Sequence, residues 1–342
     1  NNNLKIVKRL LSIPGIDPNI YNKNNEFPIT VAISNKNLEI FDAILNFYGD
    51  NIISNIWLLN HIMLSISKHF TDNLNVEKSV FDILNRILQI KSIDPNFVNQ
   101  NTFLYKACYH NKIEIVELLI EFDEIDVNKY DINSGNTPLM ISLINNNINI
   151  AKILISYPKT NINFRNHDNE TALTIAVKNE QSEIIDLLIN DERFNPVESC
   201  LNYSFYISNN EISSQLLELN TLDVNYAYDK SKDKNNHNYD YEIIYETSLI
   251  KSVNNGNIEK IDMIINHSSF DINRSKTYNA IKLAICNNNI TIFEKLFDLL
   301  EDDIYNLKYK TPLELAALNS NIEIIKIIFN HPKFNPNCKQ IV

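Results

Sequence analysis

The chain is poor in glycine, with four residues in 342 (Gly15, Gly49, Gly135 and Gly256) and no two adjacent. Phosphate-cradling loops need several closely spaced glycines. A Walker loop, a dinucleotide fingerprint and a kinase glycine-rich loop are therefore excluded. Basic charge is also short: 31 Lys and Arg face 42 Asp and Glu, a formal net charge of −11. A surface of that sign repels nucleic acid on average. The four cysteines, Cys108, Cys200, Cys286 and Cys338, stand singly without a C-x-x-C. That spacing argues against a disulfide-stapled scaffold and for a reducing compartment. Cys108 and Cys286 fall at small apolar positions and are expected to be buried. No apolar run is long enough to cross a bilayer, and no signal-like stretch follows Asn1. The expectation is a soluble, cytoplasmic protein.

Reactive constellations are missing as well. The histidines are His61, His69, His110, His167, His237, His267 and His331. None has a ligand spacing to another His or to a Cys, and there is no H-E-x-x-H. There is no G-x-S-x-G, and acidic pairs such as Asp191-Glu192 and Asp302-Asp303 read as solvated helix ends. The expected protein has no catalytic residue, no cofactor and no metal. Trp57, the single tryptophan, reads as a packing residue. His267 and His331 fall at helix C-termini, where the dipole favours positive charge.

What the sequence does have is asparagine punctuating apolar helical stretches, a composition that AT-rich codons explain. The stretches recur. Ile115–Ile120, Ile150–Ile155, Ile184–Ile189 and Ile324–Phe329 are apolar helical segments, each followed by a turn. The turns include Ile125-Asp126-Val127-Asn128, Asn161-Ile162-Asn163 and Phe194-Asn195-Pro196. Upstream of each lies a second short element: Thr102–Ala107, Thr137–Ser142, Thr171–Ala176 and Thr311–Ala316. Thr suits a helix N-cap, and the Pro at 138 and 312 suits the first helical position. A left-handed residue is expected between the paired helices, supplied by Asn111, Asn146, Asn288 and Gly256. Leu187 and Ile153 are read as core positions of second helices.

This pattern resembles the ankyrin repeat, with its Thr-Pro-Leu-His-x-Ala element, hydrophobic second helix and Asp-Val-Asn turn. The resemblance implies an all-α solenoid of stacked helix-turn-helix units over essentially the whole chain. Repeats start near Phe27, Asn60, Thr102, Thr137, Thr171, Ser199, Thr247, Asn279 and Thr311, after a half repeat at 1–26. The starts are 33, 42, 35, 34, 28, 48, 32 and 32 residues apart, mostly close to the ankyrin period. The 42- and 48-residue intervals hold insertions near 67–80 and 226–245, the second rich in tyrosine. Deleting Lys230–Asn238 from it is expected to leave the fold intact. The 28-residue interval implies a shortened finger after Thr171 and a change of pitch. Asn1 is not an initiator Met, and no polar capping helix follows Asn337, so the array is expected to continue or be contacted at one or both ends.

The resemblance also implies a protein-binding face made of first helices and turn fingers. The family's contact positions map onto Asn99, Asn101, Tyr109, His110, Asn133, Asn136 and Asn145. Further along they fall on His167, Asp168, Lys178, Asn179, Tyr206, Tyr278, Lys308, Lys310 and Asn319. Tyr109, His110 and Tyr206 are the expected anchors. The implied function is a non-catalytic scaffold or adaptor with protein partners, neither nucleic-acid-binding nor membrane-inserted. Its alternative is an architectural part of a large, for example cytoskeletal, assembly with neighbours at both ends. A regulatory region of a larger enzyme is a third reading.

Overall fold

The computed structural model describes residues 4–48, 58, 61, 62, 65, 66, 78–90, 94, 96, 101–197, 199–229, 245–273, 276–300 and 311–332. The chain forms two compact units, Asn1–Phe194 and Asn195–Val342. The first contains α1 (Leu4–Leu11), α2 (Pro28–Ser34), α3 (Leu38–Tyr48), α4 (Lys78–Leu88) and α5 (Phe103–Tyr109). It continues with α6 (Ile113–Ile120), α7 (Pro138–Ile144), α8 (Ile148–Ser156), α9 (Ala172–Lys178) and α10 (Ser182–Ile189). Helices α5–α6, α7–α8 and α9–α10 form hairpins. First helices stack on one another, α5 on α7 and α7 on α9, and second helices do likewise, α6 on α8 and α8 on α10.

The second unit contains α11 (Leu201–Ile207), α12 (Asn210–Leu217), β1 (Ala227–Asp229), β2 (Tyr245–Thr247), α13 (Ser248–Asn254) and α14 (Ile258–Ile265). The helices α15 (Thr277–Cys286), α16 (Ile290–Phe297), α17 (Pro312–Leu318) and α18 (Ile322–Asn330) follow. Here α11 packs on α13, α13 on α15 and α15 on α17. The strands β1 and β2 pair antiparallel at the base of the 226–245 insertion, with Tyr228 opposite Glu246. The segment Lys230–Asn238, and 67–77 of the earlier insertion, lie outside the described residues; 78–80 begin α4.

Helices of seven to eleven residues are marginal alone, so caps and packing hold them. The hydroxyls of Thr102, Thr137, Thr171, Thr247 and Thr311 accept from the backbone N–H three residues on, at 3.1–3.3 Å. Each such cap stabilises by about 1 kcal/mol. Glu314 answers Thr311 by accepting from its backbone N–H at 2.7 Å. Three expected starts differ. Phe27 has no acceptor, and the Thr30 hydroxyl instead accepts from the Phe27 N–H at 2.9 Å. Cys200, at φ 56°, takes the cap position in place of the buried Ser199. Asn279 lies inside α15, whose cap is Lys276 at φ 53°. Asn60 lies outside the described residues.

Asn111, Asn146, Asn288 and Gly256 do take left-handed backbone between paired helices; so do Lys36, Glu180 and Ser320. The last three strain a longer or non-amide side chain where glycine would not. In α10 the core is Ile184, Ile185 and Leu188, and in α8 it is Ile150, Ala151, Leu154 and Ile155. Leu187 is 40 % exposed and Ile153 half-buried, so neither is a core position. With apolar residues at most of the positions in these helices, spacing alone names no unique face. Cys108 is buried and its thiol is held protonated by burial, whereas Cys286 at the end of α15 is exposed.

Asparagine also ties one hairpin to the next. In the turns after the second helices, Asn96 donates through Nδ2 to Glu124 O at 2.7 Å and accepts through Oδ1 from Asp126 N–H at 2.6 Å. Asn128 does the same with Lys159 O and Asn161 N–H, at 2.8 and 2.7 Å. Asn225 repeats it with Ser269 O and Asp271 N–H, at 2.6 and 2.9 Å. The side-chain amide thus imitates a strand neighbour, offering one donor and one acceptor to a backbone that would otherwise be unpaired. At the corresponding place after Asn195-Pro196 stands Val197, 80 % exposed. Here Asn202 of α11 accepts from Asp223 N–H instead, at 2.9 Å.

Two cations act as long-range helix caps. Arg193 donates to Tyr157 O, Thr160 O and Ile155 O at 2.9, 3.1 and 2.5 Å, covering the end of α8. It also pairs with Asp191 at 2.6 Å, and this bond holds the Asp191 carboxyl below its usual range. Lys260 of α14 is buried, and its Nζ lies 2.8 Å from Phe205 O and 2.7 Å from Ser208 O at the end of α11. Burial, followed by the charge of Lys251, pushes the Lys260 ammonium down to about 7.

Candidate protein-binding site

The first helices α7 and α9 are each preceded by a polar finger whose shape is dictated by one side chain. The Asn166 Oδ1 accepts from Asp168 N–H and Glu170 N–H at 3.0 and 2.8 Å, while its own N–H donates to Glu170 O at 2.9 Å. Asn169 takes the left-handed conformation that such a tight loop requires. The preceding finger is built on buried Asp131, which accepts from Ser134 N–H and Oγ at 2.9 and 2.7 Å. Tyr105 of α5 reaches the same group through Ser134; burial and the nearby Asp131 push its phenol up to about 12.

The two fingers lock together. His167 N–H donates to Ser134 O at 3.1 Å, and Asn166 Nδ2 donates to Asn136 Oδ1 at 2.8 Å. Gly135 sits at φ 74° directly beneath the His167 ring, where a Cβ would come within 2.6 Å of it. The His167 ring lies 3.2 Å from Asn133 O through Nδ1 and meets Tyr130 edge-on at 6.2 Å. Tyr130 also tilts over Phe164 at 5.4 Å. The result is an exposed aromatic group on an immobilised loop pair: Tyr130 is 45 % and the adjacent Ile132 68 % exposed.

Of the residues expected from sequence, the structure brings Asn133, Asn136, His167 and Asp168 together on these fingers. Tyr109 and His110 form a T-shaped pair at 4.8 Å at the end of α5, with Tyr109 half exposed. Burial, then the neighbouring Lys112 and Lys106, lower the His110 pKa. Asn145 and Asn179 are exposed, but their amides donate to Tyr109 O and Leu143 O, both at 3.0 Å, so they brace adjacent first helices. Lys178 is exposed and ion-paired with Glu170. Asn101 is half-buried beside the Thr102 cap.

Tyr206 is not an exposed anchor. It is buried, its hydroxyl donates to Glu246 Oε2 at 2.5 Å, and Lys251 Nζ lies 4.2 Å above its ring. Tyr228 stacks on it at 5.2 Å, so the insertion's first strand covers the residue that spacing alone would leave open. Tyr278 is half-buried, and Asn319 folds back on its own helix by donating to Leu315 O at 2.8 Å. Asn99, Lys308 and Lys310 lie outside the described residues. Sequence reasoning missed Tyr130, Ile132 and Phe164. Their signal was an aromatic recurring just ahead of successive fingers.

Among the described residues no helix is long and apolar enough to cross a membrane. The family model for ankyrin repeats (3 copies) matches residues 73–166 and 249–340, more than half of the chain. Among curated proteins the chain is similar to the NAD-dependent deacetylase sir2B of Dictyostelium discoideum, 22 % identical over 53 % of this chain and 24 % of that protein. It is also similar to putative ankyrin repeat protein L371 of Acanthamoeba polyphaga mimivirus, 25 % identical over 55 % of this chain and 23 % of the relative. Putative ankyrin repeat protein L72 of the same virus is 25 % identical over 55 % of this chain and 43 % of the relative. The chain thus spans less than half the length of each of these relatives. Ankyrin repeats are in general non-catalytic modules that mediate protein–protein interaction. With the family model, the capped hairpins and the stacked fingers in agreement, the chain belongs to the ankyrin-repeat family.

Proposed function

We propose that this protein is a cytoplasmic scaffold or adaptor that binds a protein partner on the finger face of residues 101–180. The single observation that carries the reading is the exposed Tyr130–His167 aromatic pair, with the exposed Ile132 two residues on, presented by fingers tied together by His167 N–H to Ser134 O and Asn166 Nδ2 to Asn136 Oδ1. Binding there orders little further chain, so contact area converts to affinity without a large entropic loss. Tyr and His on such a platform supply wide contact with few rotatable bonds. The test is a photo-crosslinking amino acid placed at Tyr109, Ile132 or His167 in cells, with Glu124 and Glu192 on the loops after the second helices as controls. One recurrent protein from the first three sites and not from the controls is expected. Equal labelling from both sets would sink the proposal.

A further inference from the structure

Along α6, α8 and α10, one apolar register position of the second helices leaves the core step by step. Leu118, Ile153 and Leu187 occupy one register position, each immediately before a buried leucine, Leu119, Leu154 or Leu188. Leu118 is 7 % exposed, Ile153 half-buried and Leu187 40 % exposed, so the stripe opens toward α10. The same register position holds Arg86 in α4 and Lys295 in α16, which shows that stacking does not require an apolar side chain there. Between α8 and α10 the stripe becomes a groove of about 770 Å³, floored by Ile153, Ile155 and Leu187.

The rim of the groove is acidic. Glu183, Asp186 and Asp191 line it, and Lys152 is the one cation among the lining residues. Lys152 is already paired with Glu183. An apolar cleft framed by carboxylates matches a segment with an apolar face and lysine or arginine beside it, the helix-in-groove mode of recognition.

We propose that this groove docks a basic amphipathic segment of a partner protein. One large apolar side chain of the segment sits between Ile153 and Leu187, and its cations face Glu183 and Asp186. The surface lies on the second helices and the proposal stands independently of the finger face.

The test uses the full chain and a fluorescent synthetic helix of leucine and lysine about four turns long. A twin peptide with glutamate in place of lysine is the control, and anisotropy is the readout. The lysine peptide should bind and the glutamate peptide should not. Leu187→Lys and Asp186→Lys should each weaken binding at least tenfold, while Tyr109→Ala leaves it unchanged. Wild-type affinity in Leu187→Lys, or equal binding of the two peptides, overturns the proposal. Should Leu187→Lys lose its helical circular dichroism, Asp186→Lys decides by the same criterion.

Discussion

The hairpins α9–α10 and α11–α12 are consecutive in sequence and end their first helices in opposite ways. After α9 the backbone does the work: Glu180 adopts φ 54°, and Gln181 N–H returns to Ala176 O at 2.9 Å. After α11 there is no left-handed residue. Ser208 is extended at ψ 153°, Asn209 caps α12 at once, and the carbonyls of Phe205 and Ser208 are met by Lys260 from α14. One solution is local and carries backbone strain; the other is distant and carries the desolvation of an amine.

The comparison can be broken first in the core. Leu188→Ala in α10 and Leu216→Ala in α12 remove equivalent buried leucines, and each should cost about 3 kcal/mol in urea denaturation. A loss below about 1 kcal/mol at Leu216 alone would show that the α12 hairpin is loosely packed and that the comparison concerns order, not capping. Leu187→Ala, on the surface, should cost well under about 1 kcal/mol.

Next comes the distant cap. Lys260→Met removes the donor to Ser208 O, while Phe205 O keeps the Ser208 hydroxyl at 2.8 Å, and should cost about 2 kcal/mol near pH 9. Its pH dependence has a definite sign. The folded-state pKa is lowered from 10.5 to about 7, so between those values the unfolded chain binds the proton that the folded chain excludes. Wild-type stability relative to Lys260→Met therefore rises with pH across that window and is flat below it. A difference independent of pH from 7 to 10 would mean that the lysine stays charged in the fold.

A smaller effect is expected at the clips. Asn128→Asp keeps the shape and the acceptor but loses the donor to Lys159 O, at a cost of about 1–2 kcal/mol by thermal or urea unfolding. No change would mean that the clip is replaced by water. The smallest effect distinguishes the two hairpins most directly. Glu180→Gly relieves a left-handed backbone and should stabilise by up to about 1 kcal/mol. Asn209→Gly has no such strain to relieve and removes a cap accepting from Ile212 N–H at 2.9 Å, so it should destabilise. Gains at both sites would refute the distinction.

The regular hairpins were legible because their signals are local. A Thr three residues ahead of an N–H, an Asn at the left-handed position and an apolar run each act within one turn of helix. What could not be read depended on contacts far along the chain. Tyr206 looks like an anchor until Glu246, forty residues later, is folded against it through the paired strands. Lys260 looks like an ordinary helix lysine until the shortened Ser208-Asn209 link leaves it a pair of carbonyls. Asn145 and Asn179 looked like free contact residues, and their amides turned out to span neighbouring hairpins. At the fingers, the family's contact positions fall on the loops of Asn133, Asn136, His167 and Asp168. The aromatic residues that give those loops their exposed surface lie just before them, at Tyr130 and Phe164.

The side-chain ties to first- and second-helix ends share a direction, opposite to that of the Asn96, Asn128 and Asn225 clips. Asn145 reaches back to Tyr109, Asn179 to Leu143, Arg193 to Ile155, Lys260 to Ser208, and Asn321 to Ile285. In each case a later residue satisfies the helix end of an earlier hairpin. On a ribosome, which releases the amino terminus first, each of these helix ends must therefore wait for its side-chain donor until the successor emerges. The wait is longest for α11, whose cap is encoded more than fifty residues after Phe205. Slowing translation between those two points would prolong the exposure of that helix end more than the same pause anywhere in the α7–α10 stretch.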